Sequence, residues 1–144
     1  MRATPLPPAR MVAAVAIGGA AGASIRAAGV AAFPTAAGGF PWATLVENVT
    51  GAFLLGALLT VLQHHRPASR YGRALLGTGL LGAYTTFSTF AVELSLLLAA
   101  RSWAVAGLYA TATVVVGLAA AFLGASAGRW RPLGARGRRG VEQP

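Results

Sequence analysis

A run of hydroxyl and aromatic residues interrupts a long apolar stretch in the second half of this chain. The run is Tyr84-Thr85-Thr86-Phe87-Ser88-Thr89-Phe90, and the apolar stretch extends from Leu75 to Ala100. Lipid cannot satisfy the polar groups of such a run, so we expect them to face protein, water or an ion. Phe87 and Phe90 are three positions apart, which places both rings on one helix face. The run is therefore the leading candidate for a functional site.

The residues before this aromatic pair favour a break in the helix. Gly82 needs no room for a Cβ, and the hydroxyls of Thr85 and Thr86 can bond to their own backbone. A break releases carbonyl oxygens from helical hydrogen bonds, and released carbonyls can bind a cation. The sequence thus predicts a third helix that is broken near its centre.

A second group of polar residues lies in the preceding apolar segment. Thr44, Asn48 and Gly51 fall at i, i+4 and i+7, so they form one stripe of a helix. We interpret Asn48 as lining a pore; the alternative is an asparagine that joins two helices. Glu47 points away from this stripe, and three roles are open to it: reaching the interface, pairing with Arg26, or carrying protons.

Three further polar residues are placed to extend this site. Glu93 is three residues beyond Phe90 and lies near the same wall, either as a proton site or as a hydrogen-bond partner. Tyr109 and Thr113 form a stripe that ends at Gly117, although Thr113 can also bond to its own helix.

The elements that position these residues are membrane helices. The chain has 144 residues, of which 56% are hydrophobic and 10% charged, as expected of one small integral membrane domain. The predicted fold is all-α, with spans at about 11–33, 43–63, 74–100 and 103–127 in a domain covering 11–128. A polar tail, 1–10, precedes this domain, and a basic tail, 129–144, follows it. The first span could be a signal peptide, but three more spans follow and no clear cleavage site is present.

Small residues and histidines give two further expectations. Gly18-Gly19-Ala20-Ala21-Gly22 offers a surface for close helix packing. The chain has no cysteine, so disulfides and thiolate metal sites are excluded. His64 and His65 are adjacent and do not share a helix face, which favours a polar loop from 64 to 72 over a metal site.

The charge distribution predicts the orientation of the chain. Its net charge of +9 comes from arginine, and no lysine is present. Four spans place both termini on one side, which collects Arg2, Arg10, Arg66, Arg70, Arg73, Arg129, Arg131, Arg136, Arg138 and Arg139. The positive-inside rule then places that side in the cytoplasm. We expect the chain to lie in the inner or plasma membrane of the cell. The basic tail carries no aromatic interleaving beyond Trp130, so we expect membrane anchoring and no nucleic-acid partner.

Arg26 lies toward the far end of the first span. It is either an interfacial arginine that extends to water or a cation that concentrates anions at a pore mouth.

Three sequence blocks resemble the small fluoride channels called Fluc or CrcB. They are Gly18-Gly19-Ala20-Ala21-Gly22-Ala23-Ser24-Ile25-Arg26, Thr44-Leu45-Val46-Glu47-Asn48-Val49-Thr50-Gly51 and Thr85-Thr86-Phe87-Ser88-Thr89-Phe90. The resemblance covers Gly18 to Gly124 with the same four-span arrangement, and its last block is highly specific.

This resemblance implies an antiparallel, dual-topology dimer with two fluoride paths along the subunit interface and passive export of fluoride from the cytoplasm. The implied path residues are Phe87 and Phe90 as aromatic edges, Asn48 as an amide donor, and Ser88, Thr89, Tyr109 and Thr113 as hydroxyls, with Thr44 on the Asn48 stripe. Arg26 is implied near a vestibule. Gly82 and Thr85 are implied as backbone ligands of a structural sodium ion at the dimer centre.

The chain also departs from the usual pattern of the family. Ala83 stands where a second glycine is usual, and Glu47 stands where an apolar residue is frequent. The arginine bias is a further departure, because a chain that inserts in both orientations should carry nearly balanced loops. We therefore hypothesise that this subunit inserts one way and pairs with an oppositely oriented homologue, the alternative being a homodimer.

The sequence leaves two other functional classes open. A proton-coupled exporter of the small multidrug type would need a membrane carboxylate, for which Glu47 or Glu93 could serve. A non-transporting adaptor subunit would tolerate alanine at Asn48, Phe87 and Phe90. An enzyme is not expected, because no nucleophile and base stand at usable spacing.

Overall fold

The computed structural model describes residues 7–64 and 70–129, and within these ranges all regular secondary structure is helical. We number the helices α1 (Ala9–Ala32), α2 (Trp42–His64), α3 (the consecutive segments Arg70–Gly72, Arg73–Leu81 and Gly82–Tyr84), α4 (Phe87–Ala99) and α5 (Trp103–Arg129). In the described part of the chain, four segments are long and apolar enough to cross a membrane: α1, α2, α3 with α4, and α5. The chain is thus a multi-pass membrane protein of four spans.

Three helix ends differ from the sequence-based boundaries. Helix α5 runs on to Arg129, which was expected to be the first residue of the basic tail. Ala9 and Arg10 are already helical, because Pro8 adopts an extended conformation and its carbonyl accepts the first hydrogen bond of α1. Helix resumes at Arg70, within the segment 64–72 that was expected to be a loop. The predicted loop residues 65–69, with His65, and the tail segments 1–6 and 130–144 lie outside the described residues.

Glycines bring the helices together in two close pairs. A Cβ on Gly18 would clash with the carbonyl of Leu75, and one on Gly22 would clash with that of Leu80. Helices α1 and α3 therefore touch backbone to backbone, which confirms the packing surface expected from the small residues. Helices α2 and α5 do the same, since a Cβ on Gly124 would clash with the carbonyl of Phe53.

The third span is irregular in two places. Its segment Arg73–Leu81 has π-helical hydrogen bonding, and α1 packs along this wider turn and along the following segment Gly82–Tyr84. Further along, Thr85 and Thr86 leave the helical conformation, with ψ angles of 150° and 123°. The predicted break near the centre of the span is confirmed.

The turn from α4 to α5 holds the second half of the broken span against its neighbour. Arg101 adopts a left-handed conformation with φ of 59°. The amide of the next residue, Ser102, donates to the carbonyl of Leu97 at 2.9 Å, which closes the end of α4. Helix α5 then begins at Trp103 and packs along α4 and α2.

Little of the surface is buried within one chain. Between 11% and 22% of the residues in the apolar window of each span are buried. The core is a small cluster around Leu45, Leu97, Ala106 and Tyr109, close to the break. Large apolar side chains such as Ile17, Leu118 and Phe122 are exposed, as expected for surfaces that face lipid or another subunit.

Candidate functional site

The break in the third span is built from side chains that take over the hydrogen bonds of its backbone. The hydroxyl of Thr85 donates to the carbonyl of Leu81 at 3.0 Å, so it bonds to its own helix as expected. Thr86 is the N-cap of α4, and its Oγ1 accepts from the amide of Thr89 at 3.1 Å. The threonine pair thus ends one helix and starts the next.

Asn48 of α2 holds the extended backbone at the break. Its Nδ2 donates to the carbonyl of Thr86 at 3.0 Å, and its Oδ1 accepts from the amide of Thr86 at 2.8 Å. Both backbone polar groups of a buried residue are therefore satisfied by one side chain. Asn48 therefore joins two helices, which is the alternative role that the sequence left open for it. The second N–H of its amide remains available for a further acceptor.

These side-chain bonds release two carbonyl oxygens. In a continuous helix the carbonyl of Gly82 would accept from the amide of Thr86, and that of Thr85 would accept from Thr89. The first amide instead donates to Asn48 and the second to the Thr86 hydroxyl. The carbonyls of Gly82 and Thr85, the two predicted cation ligands, have thus lost their helical partners.

Three hydroxyl groups meet at the start of α4. Thr86 donates to the Oγ1 of Thr89 at 3.0 Å, and the Oγ atoms of Thr86 and Ser88 lie 3.2 Å apart. A hydroxyl group has only one proton to donate. Because Thr86 donates its proton to Thr89, the hydroxyl of Ser88 donates to that of Thr86. Thr89 then keeps its own proton for another acceptor.

Phe87 and Phe90 lie side by side but in different surroundings. Their ring centroids are 5.8 Å apart, which confirms that they are neighbours on one face. Phe87 is 80% exposed and projects from the surface of the chain. Phe90 is half-buried, and its ring lies 5.1 Å from that of Tyr109. The pair therefore connects the surface of the subunit with its core.

A half-buried carboxylate lies one helix turn beyond Phe90. The hydroxyl of Thr44 donates to one oxygen of Glu93 at 2.8 Å, and that of Tyr109 donates to the other at 2.6 Å. Both donors are fully buried. Glu93 is therefore a hydrogen-bond partner, one of the two roles expected for it. The sequence placed Thr44 and Tyr109 on two separate helix stripes. It did not indicate that both side chains bind Glu93.

Thr113 bonds to its own helix. Its hydroxyl donates to the carbonyl of Tyr109 at 2.8 Å, as the alternative interpretation anticipated. The same hydroxyl oxygen can still accept a further hydrogen bond.

Arg26 and Glu47 do not form the pair that the sequence allowed. The Nε of Arg26 donates to the carbonyl of Ala83 at 3.1 Å, so this arginine binds the last turn before the break. Glu47 is 4% exposed, and neither of its carboxylate oxygens has a hydrogen-bond partner among the described residues. Of the three roles open to Glu47, pairing with Arg26 is not seen among the described residues, because α2 turns this side chain toward Gly29 of α1.

Comparison with known proteins gives one consistent result. A family model described as "CrcB-like protein, Camphor Resistance (CrcB)" matches residues 13–125. The chain is 42% identical over 127 residues to fluoride-specific ion channel FluC 1 of Streptomyces coelicolor, covering 85% of this chain and 82% of that protein. It is 40% identical over 135 residues to fluoride-specific ion channel FluC 2 of Nocardia farcinica, covering 94% and 96%.

A third relative extends the similarity beyond these two organisms. Fluoride-specific ion channel FluC of Oceanobacillus iheyensis is 42% identical over 115 residues, which cover 80% of this chain and 88% of the relative. The matched family region contains the glycines of α1, the Asn48 contact and the whole break. This chain, with its four spans and its broken third span, belongs to the CrcB family.

Proposed function

We propose that this chain is a subunit of a fluoride-specific channel that releases fluoride passively from the cytoplasm. The observation that carries the proposal is the break at Thr85 and Thr86, where Asn48, hydroxyl groups and a phenylalanine pair converge. It is supported by relatives named fluoride-specific ion channels that match most of the chain. Fluoride enters cells as neutral hydrogen fluoride and ionises inside, which creates an outward fluoride gradient. Export down this gradient needs no energy-coupling residue.

The residues at the break suit a small, strongly hydrated anion. A fluoride path must replace water with donors, and the second N–H of Asn48 and the hydroxyl proton of Thr89 are such donors. The edges of Phe87 and Phe90 are electropositive, so they can face an anion without holding it too tightly to leave. Ser88 and Thr113 would add hydroxyl groups along the same route.

Thr44 and Tyr109 would join this route only when Glu93 releases them. Their hydroxyl protons are donated to its carboxylate in the structure. A fluoride ion that reached this point would compete with the carboxylate for the same two donors. Arg26 would attract anions toward the break, since its guanidinium lies at Ala83.

We propose a structural sodium ion at the dimer centre, held by the carbonyls of Gly82 and Thr85. The amides of Thr86 and Thr89 donate to side chains and not to these two carbonyls. Two hard oxygen atoms, which suit a sodium ion, are therefore left close together in sequence. A bound sodium ion would supply positive charge next to the anion route.

A second, oppositely oriented subunit would complete the channel. Phe87 is exposed on a single chain, so one subunit cannot enclose the path past it. The arginine bias favours a one-way subunit that pairs with an oppositely oriented homologue over a homodimer.

Neither alternative class is favoured by a specific observation. An exporter that used Glu93 would have to free a carboxylate whose two oxygens each accept a hydrogen bond. We further propose that the chain has no catalytic activity of its own.

The test is fluoride release from liposomes that contain the purified chain, measured with a fluoride electrode beside a chloride control. Phe87→Ile should slow release by roughly tenfold or more, which corresponds to about 1.4 kcal/mol. Phe122→Ile is the matched control, because Phe122 is similarly exposed but lies on α5 away from the break. If the chain alone is inactive, the same assay is run on the chain co-expressed with an oppositely oriented homologue. Equal release by wild type and Phe87→Ile would contradict the proposal.

A further inference from the structure

Glu47 is an acidic residue that the proposed fluoride path does not use. It lies on α2 and is buried against α1, where a Cβ added to Gly29 would clash with its Oε1. Neither oxygen has a hydrogen-bond partner in residues 7–64 and 70–129. The carboxyl group thus fills the space that a side chain at position 29 would otherwise occupy.

This environment suits a neutral carboxylic acid. An ionised carboxylate buried without partners is far less stable than in water, whereas a neutral acid loses much less on burial. Ionisation of Glu47 would therefore require water or a nearby cation. An open and largely apolar cavity of about 400 Å³, lined also by Gly29, Trp42, Val46 and Tyr84, is the side from which water would have to reach Glu47.

The charged and titratable groups around Glu47 come from three other elements. Arg26 of α1 and Glu93 of α4 act on it electrostatically, and Tyr84 of α3 lines the same cavity. Glu93 is already engaged by two hydroxyl donors. Arg26 is three residues before Gly29 and so faces the same side of α1, which makes it the cation available to an ionised Glu47.

We infer that Glu47 is a proton-binding residue that controls the rate of anion passage, so that fluoride release by this chain is faster at acid than at alkaline pH. When Glu47 is neutral, Arg26 keeps its full positive charge at the break. When Glu47 is ionised, its negative charge offsets that of Arg26 and repels an anion. The inference rests on the proposed function.

The inference is tested by measuring fluoride release at about pH 5.5 and about pH 8.5. Release from protein-free liposomes is subtracted at each pH, because hydrogen fluoride crosses lipid unaided. Wild type should be roughly tenfold slower at the higher pH. Glu47→Gln, which keeps the shape of the neutral acid, should release fluoride at the acid rate at both values.

Glu142→Gln is the matched control, since it removes the carboxylate of the basic tail, 129–144, that the sequence predicts. This variant should keep the wild-type dependence on pH. The inference is overturned if wild type and Glu47→Gln share the same dependence, or if wild type shows none.

Infrared difference spectroscopy compares the protein at the two pH values and detects proton binding by Glu47 independently of fluoride transport. Wild type should show the carbonyl stretch of a protonated acid disappearing at the higher pH, and Glu47→Gln should lack this band. A spectrum unchanged by Glu47→Gln would overturn the proton site. No fluoride release from any variant, either alone or co-expressed with an oppositely oriented homologue, would instead refute the proposed function and the rate control with it. The infrared band would still report whether Glu47 binds a proton.

Discussion

At the scale of single residues, the polar side chains of the spans are used mainly to hold other polar groups. Asn48 satisfies the backbone of Thr86, and Thr44 and Tyr109 satisfy Glu93. Because lipid offers no hydrogen bonds, each of these groups would be left without a partner if its neighbour were removed. Residues assigned to an ion path thus also carry part of the stability.

Removing the Asn48 side chain should destabilise the break. Asn48→Ala leaves the amide and the carbonyl of a buried Thr86 unpaired, so we expect a loss of about 2–4 kcal/mol in the free energy of unfolding. Ser95→Ala is the control, because the exposed Ser95 bonds only to Ala91 of its own helix. Unfolding in detergent measures both, and a similar small effect of the two changes would contradict this role.

The Glu93 cluster should behave as one unit. Tyr109→Phe and Thr44→Val each remove one donor, and each should destabilise the chain by about 1–3 kcal/mol. Their effects should not add in the double variant, because both donors serve one carboxylate. Tyr71→Phe, at an exposed tyrosine near Arg10, is the control. Strict additivity in a double-mutant cycle measured by detergent unfolding would argue against the cluster.

At the scale of elements, glycines decide how close the helices approach. Gly18 and Gly22 of α1 meet backbone atoms of α3. A Cβ on Gly19 of the same helix would have no atom of another described segment within 4 Å. The run of small residues indicated a close contact, and the structure shows which glycines make it. The α1–α3 contact also bears on the site, because Arg26 of α1 binds Ala83 in α3.

Substitutions along α1 should separate these glycines. Gly18→Ala must displace the backbone of α3 and should destabilise the chain by about 1–3 kcal/mol. Gly19→Ala places its methyl group in open space and should be neutral or slightly stabilising, by up to about 1 kcal/mol, because alanine favours the helix. Thermal unfolding of the two variants under identical conditions is the measurement. Equal stabilities would show that α1 and α3 do not pack as described.

At the scale of the whole molecule, the chain exposes much of its apolar surface and carries most of its arginines on one side. Four spans return the chain to the side on which α1 begins. Ten of the twelve arginines stand at positions 2–10, 66–73 and 129–139, which the four spans assign to that side, while Arg101 lies at the opposite end. Such a bias opposes equal insertion in two orientations.

A topology reporter fused to either terminus should therefore place both termini in the cytoplasm in nearly all molecules. The expected result is a reporter signal from one compartment, which would favour a one-way subunit with a separate, oppositely oriented partner. Arg101→Ala should strengthen this bias, and neutralising Arg70 together with Arg73 should weaken it. Equal populations on the two sides would instead support a homodimer.

The sequence alone determined the membrane class, the four spans and the break at Thr85 and Thr86, because these follow from local apolar composition and from residues that compete with helical bonding. It did not determine which groups the polar side chains would bind. The contacts of Asn48 with Thr86 and of Arg26 with Ala83 join residues 38 and 57 positions apart. Such contacts depend on how each helix is rotated and on how closely its neighbours approach. Only the tertiary structure, for the same reason, showed that Glu93 has two donors and that Glu47 has none within residues 7–64 and 70–129.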